Sequence, residues 1–173
     1  MKAKMFANML AASAIALSSI ATMARPIQAQ TTTYFCAPSK DGVPTTYART
    51  VTGKKVALIS WKRTWSHAYS AKARCELVSA RFQNASQDGV LNYLTIGSMN
   101  GQQVLCAASR YGDTCSHLLL TLRPEDNASR VIENLRQMGY TASGPIVQSG
   151  GVSSPHVYVD VNQMLREKPT DVE

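Results

Sequence analysis

The sequence lacks the patterns by which many metal proteins and enzymes are identified. It contains no Cys-x-x-Cys pair, and its three histidines, His67, His117 and His156, are scattered without the spacing of metal ligands. No nucleophile, base and orienting residue stand in a recognisable catalytic arrangement. The sequence therefore predicts no metal, no cofactor and no catalytic residue. The alternative is a small hydrolase or ligand-binding enzyme, in which His67 or His117 would meet a carboxylate in a deep pocket.

The chain also lacks the arginine-rich stripe that is typical of nucleic-acid-binding proteins. Its 18 basic and 11 acidic residues give a net charge of +7, which falls to +4 when residues 1–29 are removed. This mild positive excess favours contact with anionic surfaces such as lipid headgroups or polysaccharides. Nucleic acid is not expected as a partner.

No apolar run reaches the roughly 20 residues of a stable transmembrane helix. Residues 5–23 are largely apolar, but Asn8 and several serines interrupt them, and the positive charges of Lys2 and Lys4 precede them. A small residue, Ala29, stands where a signal peptidase would cut. Residues 1–29 are therefore predicted to be a signal peptide that directs export. Cleavage after Ala24 and an uncleaved membrane anchor are the alternatives.

Four cysteines lie beyond residue 29, and an even number in an exported chain predicts two disulfides. Three pairings are possible. We favour Cys36 with Cys75, which would join the first strand to a helix. We also favour Cys106 with Cys115, because only a short polar turn separates them.

The clearest helix pattern lies in residues 70–88, where apolar side chains recur every three or four positions. The predicted buried face consists of Ala71, Cys75, Val78, Phe82 and Ala85. Gly89 is suited to end this helix. Polar residues such as Ser79 are expected to face away from the core. Arg74 and Arg81 share a face that we interpret as solvated, with contact to an anion or an acidic partner as the alternative.

Residues 91–108 form two β-runs joined by Asn100-Gly101, a strong hairpin pattern. This turn places Met99 opposite Gln102, Ile96 opposite Leu105, Leu94 opposite Ala107, Gly97 opposite Val104, and Thr95 opposite Cys106. The Leu94, Ile96 and Leu105 side chains share one apolar face, which should pack against the helix at residues 70–88.

Alternating residues predict further short strands at 31–36, 44–51, 55–61, 117–122 and 157–161. A second helix should begin at Asp126 or Asn127 and end at Gly139, with Ala128, Val131, Leu135 and Met138 on one face. We therefore expect one disulfide-stabilised α+β domain over residues 30–138. It would combine an antiparallel sheet of about six or seven short strands with two amphipathic helices. Residues 139–173 would be a Gly/Ser-rich connector, a possible last strand and a polar tail.

Several stretches of this predicted domain follow the order of a known family. They are Phe35-Cys36, Asp41-Gly42-Val43-Pro44-Thr45-Thr46, Arg74-Cys75, Val78-Ser79-Ala80-Arg81-Phe82, Leu91-Asn92-Tyr93, Met99-Asn100-Gly101-Gln102 and Leu119-Leu120-Thr121-Leu122. Over about residues 34–138 the chain resembles the cyanobacterial circadian oscillating protein family, the COP-type domain. The resemblance implies an exported, membrane-associated protein without an established biochemical activity. It supplies no catalytic residues.

Residues 61–69 form the best candidate contact segment, because they interleave aromatic and basic side chains immediately before the first helix. The candidate residues are Trp61, Lys62, Arg63, Trp65 and Tyr69. Tyrosine and tryptophan suit a boundary between apolar and aqueous surroundings, and basic residues attract anionic headgroups. The alternative is that Trp61 ends a strand inside the core. We expect a non-enzymatic domain of the periplasm or thylakoid lumen, whose partner is a membrane surface or an envelope protein.

Overall fold

The computed structural model describes residues 31–62, 70–137 and 157–171. In chain order these residues form seven strands and three helices. The strands are β1 (Thr33–Pro38), β2 (Pro44–Arg49), β3 (Lys55–Ser60), β4 (Tyr93–Met99), β5 (Gln102–Ala108), β6 (His117–Thr121) and β7 (Tyr158–Asp160). The helices are α1 (Ala71–Gln87), α2 (Ala128–Gln137) and α3 (Val161–Glu167). The predicted signal peptide and the Gly/Ser-rich connector at 139–156 lie outside the described residues.

The seven strands form two antiparallel sheets. One has the order β1-β2-β3 and the other the order β6-β5-β4-β7. The α+β class, the antiparallel pairing and the stabilisation by disulfides are confirmed. The strands divide between two sheets rather than the one expected: β1, β2 and β3 precede α1, and β4 to β7 follow it.

Helix α1 begins and ends where its sequence predicts. The Ser70 side chain accepts a hydrogen bond from the Ala73 N–H group at 3.1 Å, and Gly89 follows the helix with a φ of +70°. The predicted face is buried at Cys75, Val78, Phe82 and Ala85. Ser79, expected to face away, is also buried. Its hydrogen-bond partner lies on strand β2, as described below.

The β4–β5 hairpin has the register that its turn predicts. Met99 pairs with Gln102, Ile96 with Leu105, and Leu94 with Ala107. Both turn residues adopt positive φ angles, 50° at Asn100 and 73° at Gly101, as a two-residue hairpin requires. Leu94 and Leu105 are fully buried.

One hydrophobic core joins the two sheets. Helix α1 packs on β1 and β2 of the first sheet and on β6 of the second. The helix that packs mainly on β4 and β5 is α2, rather than α1 as the sequence predicted. The Asn127 side chain caps α2 by accepting a hydrogen bond from the Arg130 N–H group at 2.9 Å. Ala128 and Leu135 are buried as predicted, and Ile132, which the predicted face omitted, is fully buried. Met138 and Gly139 lie outside the described residues.

The C-terminal residues contribute to this core. Strand β7 pairs with β4, and Val161, Met164 and Leu165 are buried on or beside α3. Beyond α3, Lys168 is only 2% exposed, and the Asp171 N–H group donates to the Lys55 carbonyl at 2.8 Å. The expected polar tail is thus packed against the first sheet.

Two disulfides connect these elements, Cys36–Cys75 and Cys106–Cys115, each with a Cα–Cα distance of 5.5 Å. They are the two pairs favoured from the sequence. The first joins β1 to α1, and the second joins β5 to the loop that precedes β6. Gly97 on β4 lies directly under the second bridge, since a Cβ atom there would stand 2.7 Å from the Cys115 sulfur.

The Gly97→Ala substitution should therefore lower the free energy of unfolding by about 2 kcal/mol through overpacking. Guanidinium unfolding of both proteins would measure this loss. In a background that also carries Cys106→Ala and Cys115→Ala, the same substitution should cost about 1 kcal/mol less, because the sulfur contact is gone and only the Cβ atom of residue 115, at 3.1 Å, remains close. If Gly97→Ala destabilises both backgrounds equally, the loss of stability does not come from contact with the disulfide.

Candidate functional site

Trp61, the first residue of the candidate contact segment, is held in the core at the end of β3. It is 5% exposed, and its Nε1–H group donates to the Thr46 hydroxyl at 3.0 Å. The Arg74 guanidinium lies over its ring, 5.1 Å from the centroid, in a cation–π contact. Trp61 therefore has the position of a core tryptophan, the alternative raised by its sequence.

A buried polar cluster fixes this tryptophan. The Thr46 hydroxyl oxygen accepts from Trp61 and also from the Ser79 hydroxyl, at 3.1 Å. Thr46 is fully buried and Ser79 is 3% exposed, so each hydroxyl would be costly to bury without these partners. The cluster links β2, β3 and α1. It thereby fixes the position at which the chain passes from buried Trp61 to exposed Lys62.

A cleft of about 370 Å³ opens beside Trp61, between β3 of one sheet and β6 of the other. It is lined by Ile59, Ser60, Trp61, Lys62, Arg74, Leu120, Thr121, Arg123 and Asp126. The lining carries three positive charges and one negative charge. We call this site the Trp61 cleft.

The acidic residue in the cleft neutralises one arginine. Asp126 holds Arg123 through two hydrogen bonds to its side chain, at 2.6 Å from Nη2 and 3.1 Å from Nε. These hydrogen bonds lower the pKa of the Asp126 carboxyl group and raise the pKa of Arg123. Glu125 adds a salt bridge to Arg123 at 3.0 Å.

Arg74 has the opposite electrostatic environment. Burial lowers the pKa of its guanidinium, and the positive charge of Arg123 lowers it further. Arg74 and Arg123 both line the Trp61 cleft, but Arg123 is already paired with two carboxylates.

The structure brings only part of the candidate contact segment into this site. Lys62 is exposed at the cleft, while Arg63, Trp65 and Tyr69 lie outside the described residues. Sequence reasoning did not connect Arg74 or Arg123 with the segment. The spacing of Arg123 and Asp126 could have indicated their ion pair, but the contact between Arg74 and Trp61 depends on the fold.

Arg81, predicted to share the face of Arg74, makes a different contact. Its Nη1 atom lies 3.4 Å from the Leu119 carbonyl oxygen, and the side chain is half-buried between α1 and β6. The two arginines therefore do not form one solvated patch.

The comparison with protein-family models gives one match, to circadian oscillating protein COP23, over residues 33–166. This match covers most of the chain. The chain belongs to the COP23 family. The resemblance seen in the sequence is thereby confirmed, and the matched region extends through β7 to the last turn of α3. Comparisons with curated proteins and with solved structures found no match.

The histidine alternative can be examined at one position of this COP23-family chain. His117 Nε2 lies 3.1 Å from an Asp88 carboxylate oxygen, but the two side chains are 40% and 57% exposed. This is a surface contact rather than the deep pocket expected of a hydrolase. His67 and His156 lie outside the described residues. Within residues 31–62, 70–137 and 157–171 there is no group of three or more potential metal ligands.

Two further features of the COP23-family chain concern its cellular setting. Its paired cysteines are typical of a protein that folds in an oxidising, exported compartment. Among the helices described above, none is long and apolar enough to cross a bilayer.

Proposed function

We propose that this COP23-family protein is an exported, non-enzymatic domain that binds peripherally to an anionic membrane surface. The observation that carries the proposal is the convergence of Lys62, Arg74 and Arg123 on the Trp61 cleft, where the basic and aromatic segment 61–69 begins. The apolar N-terminal segment and the two disulfides support export. The compartment is the periplasm or the thylakoid lumen.

The cleft has the chemistry to bind a lipid phosphate. Arginine can donate two parallel hydrogen bonds to a phosphate group, and lysine adds a flexible point charge. Because burial of Trp61 fixes the start of the segment, Lys62 is held at the rim of the cleft.

The proposal predicts that membrane binding depends on charge at this position. A Lys62→Gln/Arg63→Gln variant should bind anionic vesicles about 30-fold more weakly at low salt, because each basic residue near such a surface contributes about 1 kcal/mol. Co-sedimentation of the mature protein with phosphatidylglycerol vesicles over a salt series would measure the loss. Neutral phosphatidylcholine vesicles should not retain either protein.

The matched control removes the same charge elsewhere. Lys40 and Lys72 are both exposed, so a Lys40→Gln/Lys72→Gln variant has the same net charge without altering the cleft. Its affinity for the vesicles should fall less than about threefold, because only the overall positive charge of the protein is reduced. Trp65→Ala tests the aromatic part of the segment, whereas replacing buried Trp61 would disturb the core.

Equal losses in the two double variants would overturn the assignment to the Trp61 cleft. Absence of binding to either vesicle would overturn the membrane proposal, and an envelope protein would then be the partner to test.

A further inference from the structure

The loop between β5 and β6 is held firmly on the outer face of the second sheet. The Cys106–Cys115 disulfide closes it, and the Tyr158 hydroxyl donates to the Asp113 carbonyl at 2.8 Å. At the start of the loop, the Asn92 amide donates to the Ser109 carbonyl at 2.9 Å. Residues 109–116 are thus attached to the sheet at several points.

This loop completes a cluster of three tyrosines. The Tyr111 ring centroid lies 4.9 Å from that of Tyr158 and 6.2 Å from that of Tyr93, and the Tyr93 and Tyr158 centroids are 6.4 Å apart. Tyr93 and Tyr158 come from adjacent strands, β4 and β7, so the sheet sets their separation. We call the three residues the tyrosine platform.

The outermost ring of the platform remains open to solvent. Tyr111 is 74% exposed, the highest exposure of any large hydrophobic residue among those described. A tyrosine in this position adds little to the core, because most of its ring is not buried. Its ring nevertheless contacts the Tyr158 ring, at an interplanar angle of 46°, and the Tyr93 ring, in an edge-to-face arrangement at 76°.

Polar side chains surround the platform. A cleft of about 360 Å³ beside it is lined by Asn92, Tyr93, Ser109, Arg110, Tyr111, Asp160 and Asn162. Arg110 and Asn162 are exposed. The volume lies at the lower end of the range for small-ligand sites, and the lining combines aromatic faces with a few hydrogen-bonding groups.

We propose that the tyrosine platform binds a glycan, one pyranose ring of which packs on the exposed Tyr111 ring; β-1,4-linked chains, whose hydroxyl groups are equatorial, are the class to test. The C–H faces of such a sugar ring are apolar and pack on an aromatic ring, while its equatorial hydroxyl groups point outward. At the platform those hydroxyls would meet the amide, guanidinium and carboxylate groups of the rim. Because Tyr111 stands open to solvent, the site suits the side of a chain rather than a buried chain end.

This site is separate from the Trp61 cleft and shares none of its lining residues. Its ligand is recognised by ring stacking rather than by charge. Binding to glycans should therefore depend only weakly on salt, in contrast to binding to anionic vesicles.

The test titrates the mature protein with two soluble probes, cellohexaose and chitohexaose, by isothermal titration calorimetry. At least one should bind saturably, and Tyr111→Ala should weaken that binding about tenfold, because one stacking contact is lost. Tyr111→Phe keeps the ring and should stay within about threefold of the unmodified protein. Leu77→Ala, at another half-exposed apolar residue on α1, is the matched control and should bind normally.

Circular dichroism should show that all three variants are folded, since both substituted side chains are at least half exposed. Absence of saturable binding of both hexamers up to about 10 mM would overturn the proposal. So would a Tyr111→Ala variant that binds as tightly as the unmodified protein. Neither result would bear on vesicle binding, which the Lys62 and Arg63 substitutions test independently.

Discussion

Replacing Cys36 and Cys75 with alanine is expected to lower the free energy of unfolding by about 4 kcal/mol. The two cysteines are 39 positions apart, and the bridge between them restricts every unfolded conformation of that loop. In the chain-entropy description the stabilisation grows with the logarithm of loop length. Cys75 is also fully buried beside the Thr46 cluster, so the folded protein has few ways to compensate for the loss.

The shorter bridge supplies the matched comparison. Cys106 and Cys115 are nine positions apart, and their replacement by alanine should cost only about 2.5 kcal/mol on the same grounds. Guanidinium unfolding, followed by circular dichroism, would rank the two double variants. The longer loop should also give the larger fall in melting temperature, roughly 10–15 °C. Equal losses, or a larger loss for the short loop, would contradict an entropic origin.

The elements that the sequence predicted well are those whose determinants are local. The Ser70 cap, the apolar spacing through Ala85 and the following Gly89 together specify α1. The Asn100-Gly101 turn fixes every pair of the β4–β5 hairpin, because a two-residue turn leaves no freedom of register. In both cases the information lies within a few turns of helix or one hairpin.

The features that could not be predicted depend on partners far along the chain. Ser79 is polar and looked solvated, but Thr46, 33 positions earlier, accepts its hydrogen bond inside the core. The strand at 157–161 was predicted, but its pairing with β4 at the edge of the second sheet was not. Periodicity within a segment carries no information about such contacts.

The candidate site shows the same division. Composition and local order pointed to residues 61–69, and Lys62 is exposed at the Trp61 cleft. The burial of Trp61 and the presence of Arg74 and Arg123 at that cleft follow only from the way α1 packs on β2 of the first sheet and on β6 of the second. The tyrosine platform likewise combines residues from β4, β7 and a loop, so no single stretch of sequence predicts it.

Lys168 leads to the opposite kind of prediction, a gain in stability. Its side chain is 2% exposed, and within the described part of the chain its Nζ atom has no hydrogen-bond partner. Burial without compensation disfavours the charged form and lowers the pKa of the ammonium group from 10.5 to about 8. The folded protein must therefore hold a charge in an apolar setting at neutral pH.

The sign of the pH effect follows from the two pKa values. Between about pH 8 and pH 10.5 the unfolded chain binds more protons at this lysine than the folded chain, so stability rises with pH across that window. Below about pH 8 both states are protonated, and the full cost, about 3 kcal/mol, is present. Removing the charge should abolish both the cost and the rise.

Lys168→Met keeps a long, unbranched side chain without the charge. At pH 7 it should raise the free energy of unfolding by about 2–3 kcal/mol, and the advantage should shrink as the pH approaches 10. Urea unfolding of both proteins from pH 7 to pH 9.5 would measure this advantage. The difference between their free energies of unfolding removes the contribution of groups that titrate equally in both proteins. Lys40→Met, at an exposed lysine, should change stability by less than about 0.5 kcal/mol at every pH. A Lys168→Met variant that is less stable at pH 7 would mean that the buried ammonium group is compensated in the folded protein, because losing an uncompensated charge can only stabilise it.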